Sequence, residues 1–226
     1  MNSDELYDAF RSDVVDTARP YLWSDDEVFR YMADAHRMFA RLTGGIPDVS
    51  SDACGVDLVA GEAESELHPS ILRVLTARLE STNAEVKVIN YADLPRYTET
   101  DYGVRQLLID DGTPGEVRYM LHGQQKMLVK WIRVPEVDDR VLMTVYRMPL
   151  TIVSGPGEEI AEIDEAHHIY LLDWMKRMAY RKQDAETFDK GKSEQYERDF
   201  RTYCAQVKRE WGQYKHKPRV VAYGGL

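Results

Sequence analysis

The sequence has no long hydrophobic run and very few cysteines. No apolar stretch in its 226 residues approaches the ~18 residues that a membrane-spanning helix needs, so we expect no such helix and no membrane partner. The two cysteines, Cys54 and Cys204, lie far apart and predict free, buried thiols in a reducing compartment. The first residues, MNSDELYDAF, lack the basic and apolar regions of a secretion signal. These absences predict a protein of the cytoplasm.

The signatures of common catalytic, metal and nucleotide sites are also missing. GTPGE at 112–116 has the glycines of a phosphate loop but not its Gly-Lys-Ser/Thr, and no cysteine pair has the spacing of a zinc site. The adjacent His167 and His168 would point about 100° apart on a helix, so they could not hold one metal ion together. Capping and the helix dipole account for the acidic cluster at 25–27. We therefore predict no enzyme, no cofactor and no metal.

What the sequence does have is an uneven charge. Its 39 acidic and 29 basic residues give a net charge of −10. Residues 1–66 carry 15 acids and 5 bases, whereas residues 176–226 carry 7 acids and 13 bases. A sequence-reading DNA-binding protein would show one broad basic face instead. The division suits a subunit whose acidic part meets the basic part of a neighbour, or whose acidic surface must not grip DNA.

Capping signals and apolar spacing predict helices at both ends of the chain. The sharpest signal is WSDDEV at 23–28, where Ser24 caps a helix and Glu27 reaches back to it. That helix stops at Gly44-Gly45. Further helices are predicted from about Asn2 to Pro20, over 164–186 and over about 193–214.

The middle of the chain is typical of strands. Alternating apolar and polar residues, separated by turn signals such as DDGTPG and HGQQ, predict short antiparallel strands in a small sandwich or barrel. ILRVLTARL at 71–79 is strand-like, although a short helix is an alternative. The expected fold class is α+β, mainly α, in which N- and C-terminal helix pairs form one antiparallel helical bundle with an inserted small antiparallel β domain. The expected domains are the bundle, residues 1–49 and 160–215, the β-rich insertion, residues 50–159, and an extended C-terminal tail, residues 216–226.

The last predicted helix carries a large aromatic stripe. Spacings of three and four residues place its members on one helical face. Such a stripe is more often a helix core, but Tyr and Trp are also enriched in subunit interfaces. We predict that it serves bundle or subunit packing. The stripe consists of Tyr196, Phe200, Tyr203, Val207 and Trp211.

The chain ends in KHKPRVVAYGGL at 215–226. Pro218 stops the helix and extends the residue before it, and RVVAY has strand character. Disorder is common at termini, but a solvated tail has no reason to carry so many apolar side chains. We therefore predict that the tail inserts into a partner, as an added strand or in a groove. The predicted binding residues are Pro218, Arg219, Val220, Val221 and Tyr223.

Four stretches of the sequence, taken in order, carry a family resemblance. They are LWSDDEVFRYMADAHRMFARLTGGIPD at 22–48, ELHPSILRVLTARL at 66–79, HHIYLLDWMKRMAYRKQDAETFDKGKSEQYERDFRTYCAQVKRE at 167–210 and the closing HKPRVVAYGGL. In content and order they resemble the head-to-tail adaptor (connector, or head-completion) proteins of tailed bacteriophages. The resemblance implies a ring, usually of twelve copies, beneath the portal protein. It also implies that the C-terminal extension reaches into the portal, that the rest docks a tail tube or nozzle protein, and that double-stranded DNA passes through the lumen.

The resemblance and the residues together predict a structural virion protein, made in the host bacterial cytoplasm. It would be a homo-oligomeric ring adaptor that joins the portal to the tail and lines the DNA channel, with the tail residues as its portal-binding set. One alternative is a small cytoplasmic regulatory protein that binds a single partner through its tail and is a monomer or dimer in solution. Another is a virion-associated hydrolase, which one acidic substitution would inactivate without loss of assembly.

Overall fold

The computed structural model describes residues 1–96, 112–184 and 186–215. The chain divides into two compact units. The first, called here the helical unit, comprises Met1–Gly44 and Pro149–Leu226, and the second, the β unit, comprises Gly45–Met148. The C-terminal tail and residues 97–111 of the predicted β-rich insertion lie outside the described residues.

The part of the helical unit that the structure describes contains four α-helices, and a 3₁₀ turn at Glu165–Tyr170 leads into the third of them. The third helix contacts each of the other three, so segments from the two ends of the chain share one core. None of the helices in the described part of the chain combines the length and the hydropathy that crossing a bilayer requires. The helices are α1 (Ser3–Asp13), α2 (Asp25–Thr43), α3 (Leu171–Arg181) and α4 (Lys190–Lys215).

Local hydrogen bonds define the ends of α2, as the sequence predicts. The Ser24 hydroxyl accepts the Glu27 backbone N–H at 3.3 Å, and the Glu27 carboxylate accepts the Ser24 N–H at 2.9 Å. This capping box satisfies two backbone donors that a helix start leaves without partners. At the other end Gly44 adopts the left-handed conformation, with φ of 100°, which glycine enters without steric cost.

The core of the helical unit is formed by apolar side chains from all four helices and from the segment before α3. Burying such side chains is the main favourable term in folding. Its largest members include Phe10, Trp23, Met32, Phe39, Leu171, Trp174, Met175 and Phe200.

The described residues of the β unit form eight strands in a single sheet. Short 3₁₀ turns lie at Asp52–Cys54 and Tyr91–Arg96. The strands are β1 (Ile46–Asp48), β2 (Gly55–Leu58), β3 (Glu64–Glu66), β4 (Ile71–Leu79), β5 (Glu85–Asn90), β6 (Tyr119–Gln125), β7 (Leu128–Ile132) and β8 (Asp139–Arg147).

The strand order in the sheet is β1-β8-β4-β5-β6-β7-β3, and β2 follows β1 along the same edge of β8. All neighbours pair antiparallel except β5 and β6, which are parallel. The two ends of this order come together, because the Ser65 hydroxyl of β3 donates to the Asp57 carbonyl of β2 at 2.9 Å. The sheet therefore curls around its own core. That core includes Val56, Val74, Val86, Met120, Val129, Trp131, Val141 and Met143.

The predicted fold class is wrong. The β region is a large, curled, mixed sheet and not a small antiparallel domain carried by a mainly α bundle. Alternation along a strand shows which face is buried, but it does not show the direction of the neighbouring strand. The parallel pairing of β5 with β6 was therefore invisible in the pattern. In addition, β1 and β3 have only 3 residues each, too few for a periodic signal. The segment 71–79 is strand β4.

Candidate interaction surfaces

The aromatic stripe of α4 packs largely within the helical unit. Phe200 and Val207 are fully buried in its core. Tyr203 and Trp211 are partly buried against that core. Tyr196 is half-buried and stacks on Tyr180 of α3, with ring centroids 6.0 Å apart. Any contact with a second subunit would therefore use the exposed parts of Tyr196, Tyr203 and Trp211, because Phe200 and Val207 are already enclosed.

An aromatic cluster surrounds His167 at the C-terminal half of α4. The His167 Nδ1 and the Tyr203 hydroxyl lie 2.8 Å apart, and Tyr170 stacks on Tyr203 with ring centroids 3.5 Å apart. Phe39 and Trp211 contact the imidazole at centroid distances of 5.3 and 6.1 Å. Burial raises the pKa of Tyr203 to about 12 and lowers the pKa of His167. Both groups are therefore neutral near pH 7, and the cluster resembles a packing contact between helices more than an acid–base pair.

His168 points away from His167 and has a separate set of contacts. Its Nδ1 lies 3.0 Å from the Met1 carbonyl, and its Nε2 lies 2.8 Å from the Ile163 carbonyl. The ring thus connects the start of the chain to the segment before α3. Across the described residues, no group of three or more His, Cys, Asp or Glu side chains could hold a metal ion.

A buried arginine holds the connection between α1 and α2. Arg11 and Asp16 form an ion pair whose side chains are 5% and 3% exposed. Arg11 also contacts Asp25 at 2.8 Å. Asp16 accepts the backbone N–H groups of Leu22 and Trp23 at 2.9 and 3.3 Å. This network fixes the path of the chain between the two helices, and nothing about it requires a ligand.

The uneven charge of the chain is partly neutralised inside one helical unit. Lys176 of α3 contacts Asp13 of α1 at 2.7 Å, and Lys182 contacts Glu27 of α2 at 2.9 Å. Both pairs join the acidic first part of the chain to its basic last part. Sequence reasoning attributed this complementarity to neighbouring subunits and missed these intramolecular pairs, because ion pairing depends on which helices pack together.

The exposed side of α2 has a distinct composition. Beyond the acidic first turn, the exposed residues of α2 are Arg30, Arg37 and Arg41. None of the three forms an ion pair or a side-chain hydrogen bond with another described residue. We call these residues the α2 arginine row. The sequence spacing of seven and four residues places them on one helical face.

In the β unit, a buried pair holds the start of the sheet. Arg147 of β8 donates to the Asp48 carboxylate, and Asp48 also accepts the backbone N–H groups of Ser50 and Ser51 at 3.0 and 3.2 Å. Burial alone would raise the pKa of Asp48, but hydrogen bonds from Ser51, Ser50 and Arg147 lower it well below the ordinary value. The pair ties β1 and the bend that follows it to β8.

One groove in the β unit combines an apolar floor with an acidic rim. Leu58, Leu79, Val117 and Pro135 line its floor. Two of its rim carboxylates have structural partners, because Asp138 accepts the Ala60 N–H at 2.8 Å and Asp139 accepts the Ser81 hydroxyl at 2.6 Å. These bonds account for the acids without a bound ligand.

A family model described as "SU10 adaptor protein" matches residues 1–221, which include both units. The chain belongs to the SU10 adaptor protein family. No curated protein matches the chain.

Family membership confirms the resemblance to phage head-to-tail adaptors that the sequence suggested. As an SU10 adaptor protein, the chain has a structural role in a bacteriophage particle and interacts with other phage head or tail proteins. The predicted portal-binding residues, Pro218, Arg219, Val220, Val221 and Tyr223, lie outside the described residues. The described part of this adaptor ends at Lys215, the last residue of α4.

Proposed function

We propose that this SU10 adaptor protein forms a closed ring, usually of twelve copies, that docks beneath the portal protein and connects it to a tail tube or nozzle protein. Double-stranded DNA passes through the lumen of the ring. The observation that carries the proposal is the family match over residues 1–221. Because the match extends past Pro218, it includes the first part of the tail together with both units.

The tail is the portal-binding element in this proposal. It follows directly after α4, a helix of 26 residues that is about 39 Å long and packs on the core of the helical unit through Phe200, Val207 and Trp211. Val220, Val221 and Tyr223 supply apolar side chains for a portal groove, and Pro218 keeps the segment extended. Strand pairing with the portal and burial of these apolar side chains would supply the free energy of binding.

The ring is formed through helix faces and complementary charge. Tyr196, Tyr203 and Trp211 are the stripe residues that keep exposed surface for a neighbouring subunit. Phe200 and Val207 act indirectly, because they hold α4 in place from within the core. Tyr and Trp are enriched in the cores of subunit interfaces, which supports this assignment.

Deletion of residues 216–226 tests the role of the tail. The truncated chain is expected to keep the circular dichroism spectrum and thermal midpoint of the full chain, but to lose attachment to portal-bearing heads. A matched control replaces the same residues with a Gly/Ser segment of equal length, which keeps the chain length and removes the apolar and basic side chains. If the truncated chain attached to heads as well as the full chain does, the portal-binding role of the tail would be wrong.

The number of subunits in the assembled particle tests the proposed ring. The full-length chain is mixed with purified portal rings, and native mass spectrometry or cryo-electron microscopy gives the number of copies bound. A closed ring with a defined copy number is expected. A chain that stayed a monomer or dimer beside portal would favour the regulatory alternative instead.

A further inference from the structure

Beyond its acidic first turn, the helix α2 is exposed to solvent mainly through the α2 arginine row. After its first turn, α2 packs most of its residues into the core of the helical unit. The residues of α2 that remain exposed there are Arg30, Arg37 and Arg41, in a chain where 39 acids outnumber 29 bases. An ordinary solvated helix face mixes acidic, basic and polar residues. On this face the fully exposed residues are all basic, and the one acid beside them, Asp34, is partly buried.

The acids nearest to the row form no ion pair with it. Asp34 lies one turn from Arg30 and from Arg37, but its carboxylate is directed to the Trp174 indole N–H, which it accepts at 2.7 Å, and it keeps its negative charge there. Asp26 lies one turn before Arg30 and forms no ion pair with it in the described part of the chain. Pairs at these spacings usually form on helix surfaces. The guanidinium groups are therefore available to an external anion.

The geometry of the row suits a polyanion. Arg30 and Arg41 are eleven residues apart, so the row extends about 16 Å along the helix axis. The DNA duplex carries one negative charge per ~1.7 Å of its axis, so separate phosphates lie within reach of each side chain. Arginine presents a planar fork of donors that binds phosphate through two parallel hydrogen bonds. A single small anion would engage one end of the row and leave the rest unpaired.

We propose that the α2 arginine row faces the DNA channel and contacts the phosphate backbone of the passing duplex. The inference rests on the proposed function, which brings DNA into the lumen, and adds which surface of the subunit lines it. An acidic surface of a neighbouring subunit is the competing partner. DNA is favoured because its phosphates repeat at a short, regular spacing along the whole length of the row, whereas the acids that form ion pairs in the structure, such as Asp13 and Glu27, each meet a single lysine.

Contacts of this kind guide DNA without recognising its sequence. Phosphate contacts carry no base information and weaken steeply as salt increases. Each subunit contributes few of them, and the acidic excess of the rest of the chain opposes tight binding. The row would therefore hold the duplex weakly and let it slide.

The test compares two triple variants of the full-length chain. The first, Arg30→Gln, Arg37→Gln and Arg41→Gln, removes the row. The matched control, Arg181→Gln, Arg198→Gln and Arg209→Gln, removes three other exposed arginines that form no ion pair in the described residues. Both variants change the net charge equally. Fluorescence anisotropy with a short labelled DNA duplex at a series of salt concentrations gives the affinity and its salt dependence.

The row variant is expected to lose about tenfold or more in DNA affinity at low salt and to reduce the slope of log K against log salt by about 3. The control is expected to keep the slope of the wild-type chain. Equal losses in both variants would show an effect of net charge alone and overturn the proposal. Absence of DNA binding by the wild-type chain at low salt would overturn it as well.

A further readout separates this inference from the proposed function. Both variants are tested for attachment to portal-bearing heads and for copy number on portal rings. The row variant is expected to attach and assemble normally, because the tail and the α4 stripe are intact. If it kept its DNA affinity but failed to assemble, the row would be a subunit contact and the inference would be wrong, while the proposed ring would stand. If the wild-type chain formed no ring, the proposed function itself would fail.

Discussion

Buried polar side chains occur throughout the helical unit, where they contact α1, α3 and the segments before and between the helices, whereas among the described residues of the β unit they are confined to the Arg147–Asp48 pair and Ser70. Beyond the Arg11–Asp16 pair, the Trp23 indole donates to the Ala179 carbonyl of α3 at 3.2 Å, and His168 contacts the Met1 carbonyl at 3.0 Å. The β unit buries Asp48, Ser70 and Arg147 as its polar side chains among the described residues, and otherwise relies on strand pairing and an apolar core.

The difference between the units reflects how each arranges its elements: the sheet by hydrogen bonds between backbones, and the helices by contacts between side chains. Strands satisfy each other's backbone groups, so a sheet can enclose a core of plain hydrocarbon. The backbone hydrogen bonds of a helix form within that helix and do not join it to its neighbours. The arrangement of helices therefore depends on contacts between side chains. Buried polar contacts in the helical unit then fix which helix lies beside which. The consequence is that this unit should lose stability when one of these buried groups is removed, and also between pH 6.5 and 4 through His36, a range in which Asp48 of the β unit stays ionised.

Loss of the Arg11 side chain is expected to have the largest effect. Arg11→Ala leaves the Asp16 carboxylate buried at 3% exposure without its cationic partner, which typically costs about 3–5 kcal/mol. The free energy of unfolding of the helical unit, measured by denaturation with hydrogen exchange of its peptides, should fall by that amount.

The control for this prediction lies in the β unit. Arg118 pairs with Glu116 at the surface, where the two side chains are 70% and 53% exposed, so Arg118→Ala should change stability by about 0.5 kcal/mol or less. If Arg11→Ala lowered the free energy of unfolding no more than this control does, the helical unit would not depend on its buried ion pair.

Acid should weaken the helical unit through His36. This imidazole is buried, neither ring nitrogen has a hydrogen-bond partner, and burial lowers its pKa from 6.5 to about 4. Glu162, His168 and Arg37 are the charged or titratable groups that act on it. Below pH 6.5 the unfolded chain takes up a proton that the folded chain excludes. Stability therefore falls as the pH drops from 6.5 towards 4, by about 2 kcal/mol at pH 5.

The variant His36→Leu should remove this part of the pH dependence, as measured by urea denaturation at pH 7 and pH 5 with hydrogen exchange to separate the two units. His122 of the β unit offers the comparison. Burial and Arg73 also lower its pKa, but its side chain is only partly buried, so a smaller loss is expected there. An unchanged pH dependence in His36→Leu would contradict the assignment.

The sequence predicted features that local chemistry decides. The start of α2 at Ser24 and its end at Gly44 follow from hydrogen bonds and backbone conformations within a few residues, and both predictions are confirmed. The pairing of β3 with β7 places Glu64 opposite Lys130. No local pattern indicates such a partner, because the two strands are separated by most of the β unit. The same limit explains why the parallel pair and the mixed sheet were missed.

For the interaction surfaces too, the sequence predicts what depends on local spacing but not what depends on distant partners. Periodicity placed Phe200 and Trp211 on one face of α4, because the spacing of side chains on a helix is fixed. Whether that face meets its own core or a neighbour depends on the other helices, and in the structure Phe200 is enclosed by its own unit. The spacing of Arg30 and Arg37 was equally visible. Whether they form the exposed part of α2 depends on which sides of the helix the other helices bury, and spacing alone does not show this.

The smallest effect is expected at the helix start that the sequence marked most clearly. Ser24→Ala removes the hydroxyl that accepts the Glu27 N–H, and loss of such a cap typically costs about 1 kcal/mol. Hydrogen exchange should quicken in the first turns of α2, with peptides of the β unit as the internal reference. Ser12→Ala is the matched control, because Ser12 is exposed within α1 and alanine favours helix at such a position. Equal stability losses in the two variants would mean that the capping box does not stabilise α2, and that tertiary packing alone sets where this helix begins.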